Sequence, residues 1–200
     1  MNEQMNDINL NFIDILENYN SEDEKIRNDV SNFIEEFKRN DIFSFLKNLL
    51  FVITIQETSE FSKKIALILS FKTFELFKSP NQFISTYEYI EENAPGLMDS
   101  FLNQSIFLLY SFPILSGHLF SSIVDVIYEY NENNDIIQNF CTNVRQVSDF
   151  NFIEGFLISI EDITQNLELS PKQYYPILDI IFQYIFKEDI PPNIKFHSMK

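Results

Sequence analysis

Glycine is nearly missing from this chain, with 3 in 200 residues, beside 7 prolines, one cysteine and no tryptophan. Phosphate-cradling loops, nucleophile elbows and dinucleotide folds all need backbone positions that only glycine fits, so the composition argues against those classes. The lone Cys141 rules out an internal disulfide framework and fits a reducing compartment. The opening MNEQMNDINLNF lacks the basic stretch and apolar run of a secretory signal. Basic residues are absent between Lys78 and Arg145, an interval that holds Glu88, Glu91, Glu92, Asp99, Asp125, Glu129, Glu132 and Asp135. Read plainly, those acids are solvated faces. The functional alternative is an acidic inner surface that meets a basic partner.

What the chain has instead is 22 phenylalanines and a hydrophobic content of 45%, ample for a core. The formal charge of -16 repels phosphate backbones and so points away from nucleic acid. One uncharged run, Ser100 to Val124, approaches the length of a membrane span, about 20 apolar residues. Asn103, Gln104, Ser105, Pro113, Gly117 and His118 interrupt it, and Pro113-x-x-x-Gly117 reads as a turn between two buried helices, with no membrane insertion.

The stretch Asp41 to Ser79 organises the rest. Phe45, Leu46, Leu49, Leu50 and Ile53 place one apolar stripe on a first helix. After the break QETSE, a second helix carries Phe61, Ile65, Ile68, Leu69, Lys72 and Leu76, with Ser70 and Thr73 on other faces. Thr58 or Ser59 caps it and Ser79-Pro80 stops it. Upstream, helices are expected over 8–19 and 22–39. The latter opens on a Ser21–Glu24 capping box and turns Ile26, Val30, Phe33, Ile34 and Phe37 inward. Downstream, helices are expected over 82–92, 97–112, 117–130, 135–147, 149–167 and 171–187. Phe152, Phe156, Ile160 and Ile163 face inward, and Pro171 takes the first helical position. A last helix starts at Asp189-Ile190-Pro191-Pro192.

Second helices of successive pairs are expected to begin near Ser21, Ser59, Leu97, Asp149 and Pro191, close to the 40–47-residue period of HEAT-type repeats. The expected fold is all-α, a right-handed solenoid of about four and a half antiparallel helix pairs covering residues 1–200, with 131–147 as an inserted segment.

Two blocks resemble a known family. ILENYNSEDEKIRNDVSNFIEEFKRNDIFSFLKNLL, continuing through KKIALILSFK, resembles the N-terminus of importin-β-type (karyopherin-β) nuclear transport receptors. The Phe33-Ile34 pair, the Phe45-Leu46 helix and Lys64-Ile65-Ala66 through Lys72 carry that likeness. FLISIEDITQNLE followed by YYPILDIIFQYIFKEDIPPNIKFHSMK resembles the family's fourth and fifth repeats, best over Phe186 to Lys195. Residues 80–147 match by helix rhythm alone. Small core residues of the family are often Phe, Ile or Val here, its tryptophan is absent, and the chain is far shorter than a full receptor. The expectation is a fragment of a longer receptor or a truncated paralogue.

The resemblance implies a nuclear import protein that binds the GTP form of the small GTPase Ran. It further implies a basic cargo or adaptor and nucleoporins as partners, and placement in cytoplasm, nucleus and nuclear envelope. Contact residues on that reading are Asn28, Asn32, Glu35 and Arg39 on one helix, and Lys63, Ser70, Thr73 and Phe74 on the other. The alternative is a HEAT-repeat scaffold in a static assembly, and a further one is a membrane-associated helical protein built on 100–124. No enzyme, cofactor or metal site is expected. His118 and His197 are far apart and lack carboxylate or cysteine partners at ligand spacing. Glu161 and Asp162 point to different helix faces, and Cys141 reads as a buried structural thiol.

Overall fold

The computed structural model describes residues 12–77, 86–186 and 189–199, all helix, turn or loop with no strand among them. Residues 12–17 form α1, which runs into a 3-10 turn at Asn18–Asn20. There follow α2 (Glu24–Asn40), α3 (Ile42–Thr54), α4 (Glu60–Phe77), α5 (Thr86–Asn93) and α6 (Leu97–Leu108). The second half holds α7 (Pro113–Tyr130), α8 (Ile136–Val144), α9 (Phe150–Asn166), α10 (Pro171–Ile185) and α11 (Pro192–Ser198). The expected stop at Ser79-Pro80, the start at Gln82 and the expected first residues through Asn11 lie outside the described residues, as do Lys187 and Glu188.

Local chemistry sets the helix ends. Asp23, not Ser21, caps α2. Its carboxylate accepts from Lys25 N at 2.8 Å, while Ser21 Oγ accepts from Asp23 N at 3.3 Å, so the expected Ser21–Glu24 box does not form. Ionised Asp accepts more strongly than a hydroxyl at the positive end of the helix dipole, which favours the later start. Asp41 caps α3 by accepting from Ser44 N at 2.9 Å, and Ser44 holds its carboxyl below the usual range. Ser59 Oγ accepts from Ser62 N at the head of α4. Gly96 takes φ 72°, the left-handed conformation that lets the chain swing from α5 into α6.

The uncharged run breaks one turn earlier than expected. Residues 109–112 form the turn, Pro113 opens α7, and Gly117 lies inside the helix. Proline suits a first helical position, since its missing N–H has no intrahelical acceptor there. Among the described residues no helix is long and apolar enough to cross a membrane.

Consecutive helices pair as α3–α4, α6–α7, α8–α9 and α10–α11. One layer is built from α4 on α7, α7 on α9, and α9 on α11, while α3 packs on α6 and α8 on α10 across the other. The helix at Leu97, expected in the second-helix layer, belongs with α3, and α7 takes its place. The short α5 lies against α6 and α7. The segment 131–147 supplies Ile137, Phe140, Cys141 and Val144 to the core.

Two apolar clusters fill the interior. The first runs from Phe12 and Leu16 through Phe45, Leu67, Phe74 and Phe101 to Ile127, and the second from Leu109 through Phe140, Phe156 and Ile177 to Ile194. At its outer end, Phe12, Phe37 and Phe45 meet edge-on at 5.7–6.0 Å between ring centroids, the arrangement ring quadrupoles favour. Of the 18 residues of α7, 12 are buried, and they serve both clusters. Leu119, Ile123, Val126 and Ile127 turn to the first, Phe120 and Val124 to the second.

Candidate binding surface

The residues expected to meet a partner divide into two groups. On α2, Val30 and Ile34 face the core, which leaves Asn28, Asn32, Glu35 and Arg39 exposed on the helix's other sides. Asn32, Glu35 and Arg39, with Glu36 and Lys38, line a shallow depression of about 510 Å³. Lys38 Nζ reaches Glu35 Oε1 at 2.7 Å along the same helix. Ile26 and Phe33, expected in the core, are 40% and 44% exposed and border this polar face.

On α4 the placement differs from expectation. Lys63 is half-buried, but Ser70, Thr73 and Phe74 are buried at 0%, 1% and 0% exposure and cannot meet a partner. The true inward face is Ser62, Ala66, Leu67, Leu69, Ser70, Thr73, Phe74 and Phe77. It is rotated from the expected stripe of Phe61, Ile65, Ile68, Leu69, Lys72 and Leu76, with Leu69 common to both. This helix is apolar on several sides because α3 covers one flank and α7 another, so apolar spacing did not single out one face. Ser70 Oγ donates to the Ala66 carbonyl and Thr73 Oγ1 to the Leu69 carbonyl, both at 2.7 Å. These back-bonds satisfy the hydroxyls without solvent and let small polar residues face a dry seam. Phe74 meets Phe101 edge-on at 5.2 Å.

A second constellation crosses the layer α4–α7–α9–α11. His118 Nδ1–H donates to Asp162 Oδ2 at 2.6 Å, and Ser121 Oγ–H donates to the same oxygen at 3.0 Å. On the other flank of α9, His197 Nδ1 approaches Glu161 Oε2 at 3.4 Å. The chain's two histidines thus reach adjacent carboxylates on one helix from opposite sides. Glu161 and Asp162 do point to different faces, as expected, but each face meets a neighbouring helix that presents an imidazole. The Phe71 ring of α4 lies 5.7 Å from the His118 ring. Asp162's hydrogen bond, helped by its charge and by those of Glu161 and Glu75, raises the His118 pKa above its ordinary value against the opposing effect of burial. Sequence reasoning missed these pairs because their separations, 44 and 36 residues, match no local motif. The signal that could have found them is the repeat spacing itself.

Chemically this constellation joins neighbouring helices. Ser121 donates to the carboxylate rather than to the imidazole, which is not the order that activates a nucleophile. Among the described residues no group of three or more potential ligands could hold a metal ion. Other cross-helix bonds continue the seam, including Asn166 Nδ2 to Asp125 Oδ2 at 3.0 Å and Asn193 Nδ2 to Glu154 Oε1 at 2.8 Å. Burial pushes the Cys141 thiol up to about 12 against a smaller opposing pull from Arg145.

No family model matches the chain, and no curated protein matches it.

Proposed function

We propose that this chain is a protein-binding helical array, a right-handed solenoid of the HEAT type from the N-terminal part of an importin-β-like transport receptor. On this reading it binds the GTP form of Ran and takes part in the import of protein cargo between cytoplasm and nucleus. Support comes from the two sequence blocks that resemble the family, and from one structural observation above others. The polar face of α2, with Asn28, Asn32, Glu35 and Arg39, is exposed on a helix that packs against α3. Rigid helices that present exposed polar side chains suit recognition of a partner whose shape changes with its nucleotide. The net charge of -16 favours a basic cargo or adaptor.

The contact set on this reading is Asn28, Asn32, Glu35, Arg39 and the half-buried Lys63. The test is capture of Ran loaded with a non-hydrolysable GTP analogue or with GDP. The expected result is retention of the GTP form alone, with Glu35→Lys weakening it by about 1–3 kcal/mol if that side chain is an anchor. Equal capture of both forms, or of neither by a well-folded chain, would favour a scaffold in a static assembly.

A further inference from the structure

We propose that the His118–Asp162 contact is a pH-dependent latch on the seam between α7 and α9, tight when the imidazole is protonated and slack when it is neutral. The geometry carries this. His118 reaches across from α7 to a carboxylate of α9 that also accepts from Ser121, so one oxygen ties two α7 side chains to its neighbour. Among the described residues, Asp162 and Glu161 of α9 and Glu75 of α4 favour the protonated His118 ring. The α4 flank also presents the Phe71 ring. Protonation therefore turns one hydrogen bond into an ion pair inside an acidic surround, and loss of the proton returns a neutral ring to that surround.

The direction in pH follows from linkage. The folded chain holds the His118 proton more tightly than the unfolded chain does. The added stability is fully present below the unfolded value, near 6.5, and is lost as pH rises through the higher folded value. Each unit of difference is a factor of about ten in the opening equilibrium. The ladder between α8 and α10 offers an internal control. Arg145–Asp179 at 3.2 Å and Lys172–Asp135 at 3.2 Å join helices through ion pairs that contain no histidine. The proposal is independent of any partner.

Amide hydrogen exchange of the full chain between pH 6 and 9, corrected for intrinsic exchange, tests it. The expected result is that protection across α7 and α9 falls several-fold relative to α8 and α10 as pH rises, and that His118→Gln removes this difference. Asp162→Asn, which keeps an acceptor and most of the shape, serves if the first variant folds poorly, and it should flatten the profile likewise. His197→Gln should leave the slope in place. A wild-type profile that is flat, a His118→Gln profile as steep as wild type, or a slope abolished by His197→Gln alone would overturn the proposal.

Discussion

Gly117 of α7 lies so close to Gly155 of α9 that a Cβ on Gly117 would stand 2.7 Å from the Gly155 carbonyl oxygen. A Cβ on Gly155 would run into Leu109 Cδ2 and stand 2.9 Å from the Pro113 carbonyl oxygen. Ser159 Oγ lies in the same crossing, 2.7 Å from the Gly155 carbonyl oxygen and 3.2 Å from that of Gly117, with its one O–H shared between them. Two of the three glycines of the chain are thus spent on one helix crossing.

Gly155→Ala should accordingly destabilise the fold by about 1–3 kcal/mol, since backbone on the facing helix cannot give way as a side chain can. Gly96→Ala meets open space but forces a left-handed backbone, which costs roughly 1–2 kcal/mol. Urea denaturation of both variants checks this. A Gly155→Ala midpoint equal to wild type would mean the helices cross less closely than described.

Charge scanning separates the two groups of expected contact residues. Ser70→Asp places a carboxylate where the native hydroxyl is fully buried, and should cost several kcal/mol for want of a counter-charge. Asn32→Asp on the exposed face of α2 should change stability by no more than about 0.5 kcal/mol. Thermal unfolding distinguishes them, and similar midpoints for the two would show that the inward face of α4 is wrongly assigned.

Cys141 should be inert while the chain is folded. It is 1% exposed and its thiol is pushed up to about 12, so at pH 8 only about one molecule in ten thousand carries the thiolate. Labelling with a thiol reagent should proceed at the rate of unfolding and accelerate in urea. Rapid labelling of the native chain would contradict the burial of α8.

How far the sequence told this story varies from helix to helix. In α3, four of the five expected core residues are fully or nearly fully buried, with Leu50 partly so, because Lys47 and Thr54, two turns apart, mark the side that faces outward. In α9, Phe152, Phe156, Ile160 and Ile163 are all buried as expected. In α4 the same method failed. Ile65 and Leu76 are as apolar as Leu67 and Phe74, and the hydroxyls of Ser70 and Thr73 hide their polarity in bonds to their own helix. Pro113 was legible as a punctuation mark, but whether it ends one helix or begins the next depends on tertiary packing. The histidine–carboxylate pairs were illegible for a plainer reason, since only stacking of α7, α9 and α11 brings residues so distant in sequence together.

The sharing of α7 between both apolar clusters bears on how the chain comes apart. Phe120 lies 4.1 Å from Phe140, ring to ring, while Leu119 on the adjacent position faces the opposite cluster. A protease that nicks the turn at 131–135 severs the backbone between these partners without separating them. The N-terminal piece would keep α7 with Phe120 and Val124 stripped of cover, so the two fragments should remain associated and melt together. Neither piece would make a serviceable expression fragment on its own, and any dissection of the molecule has to carry α7 with the helices on both of its sides.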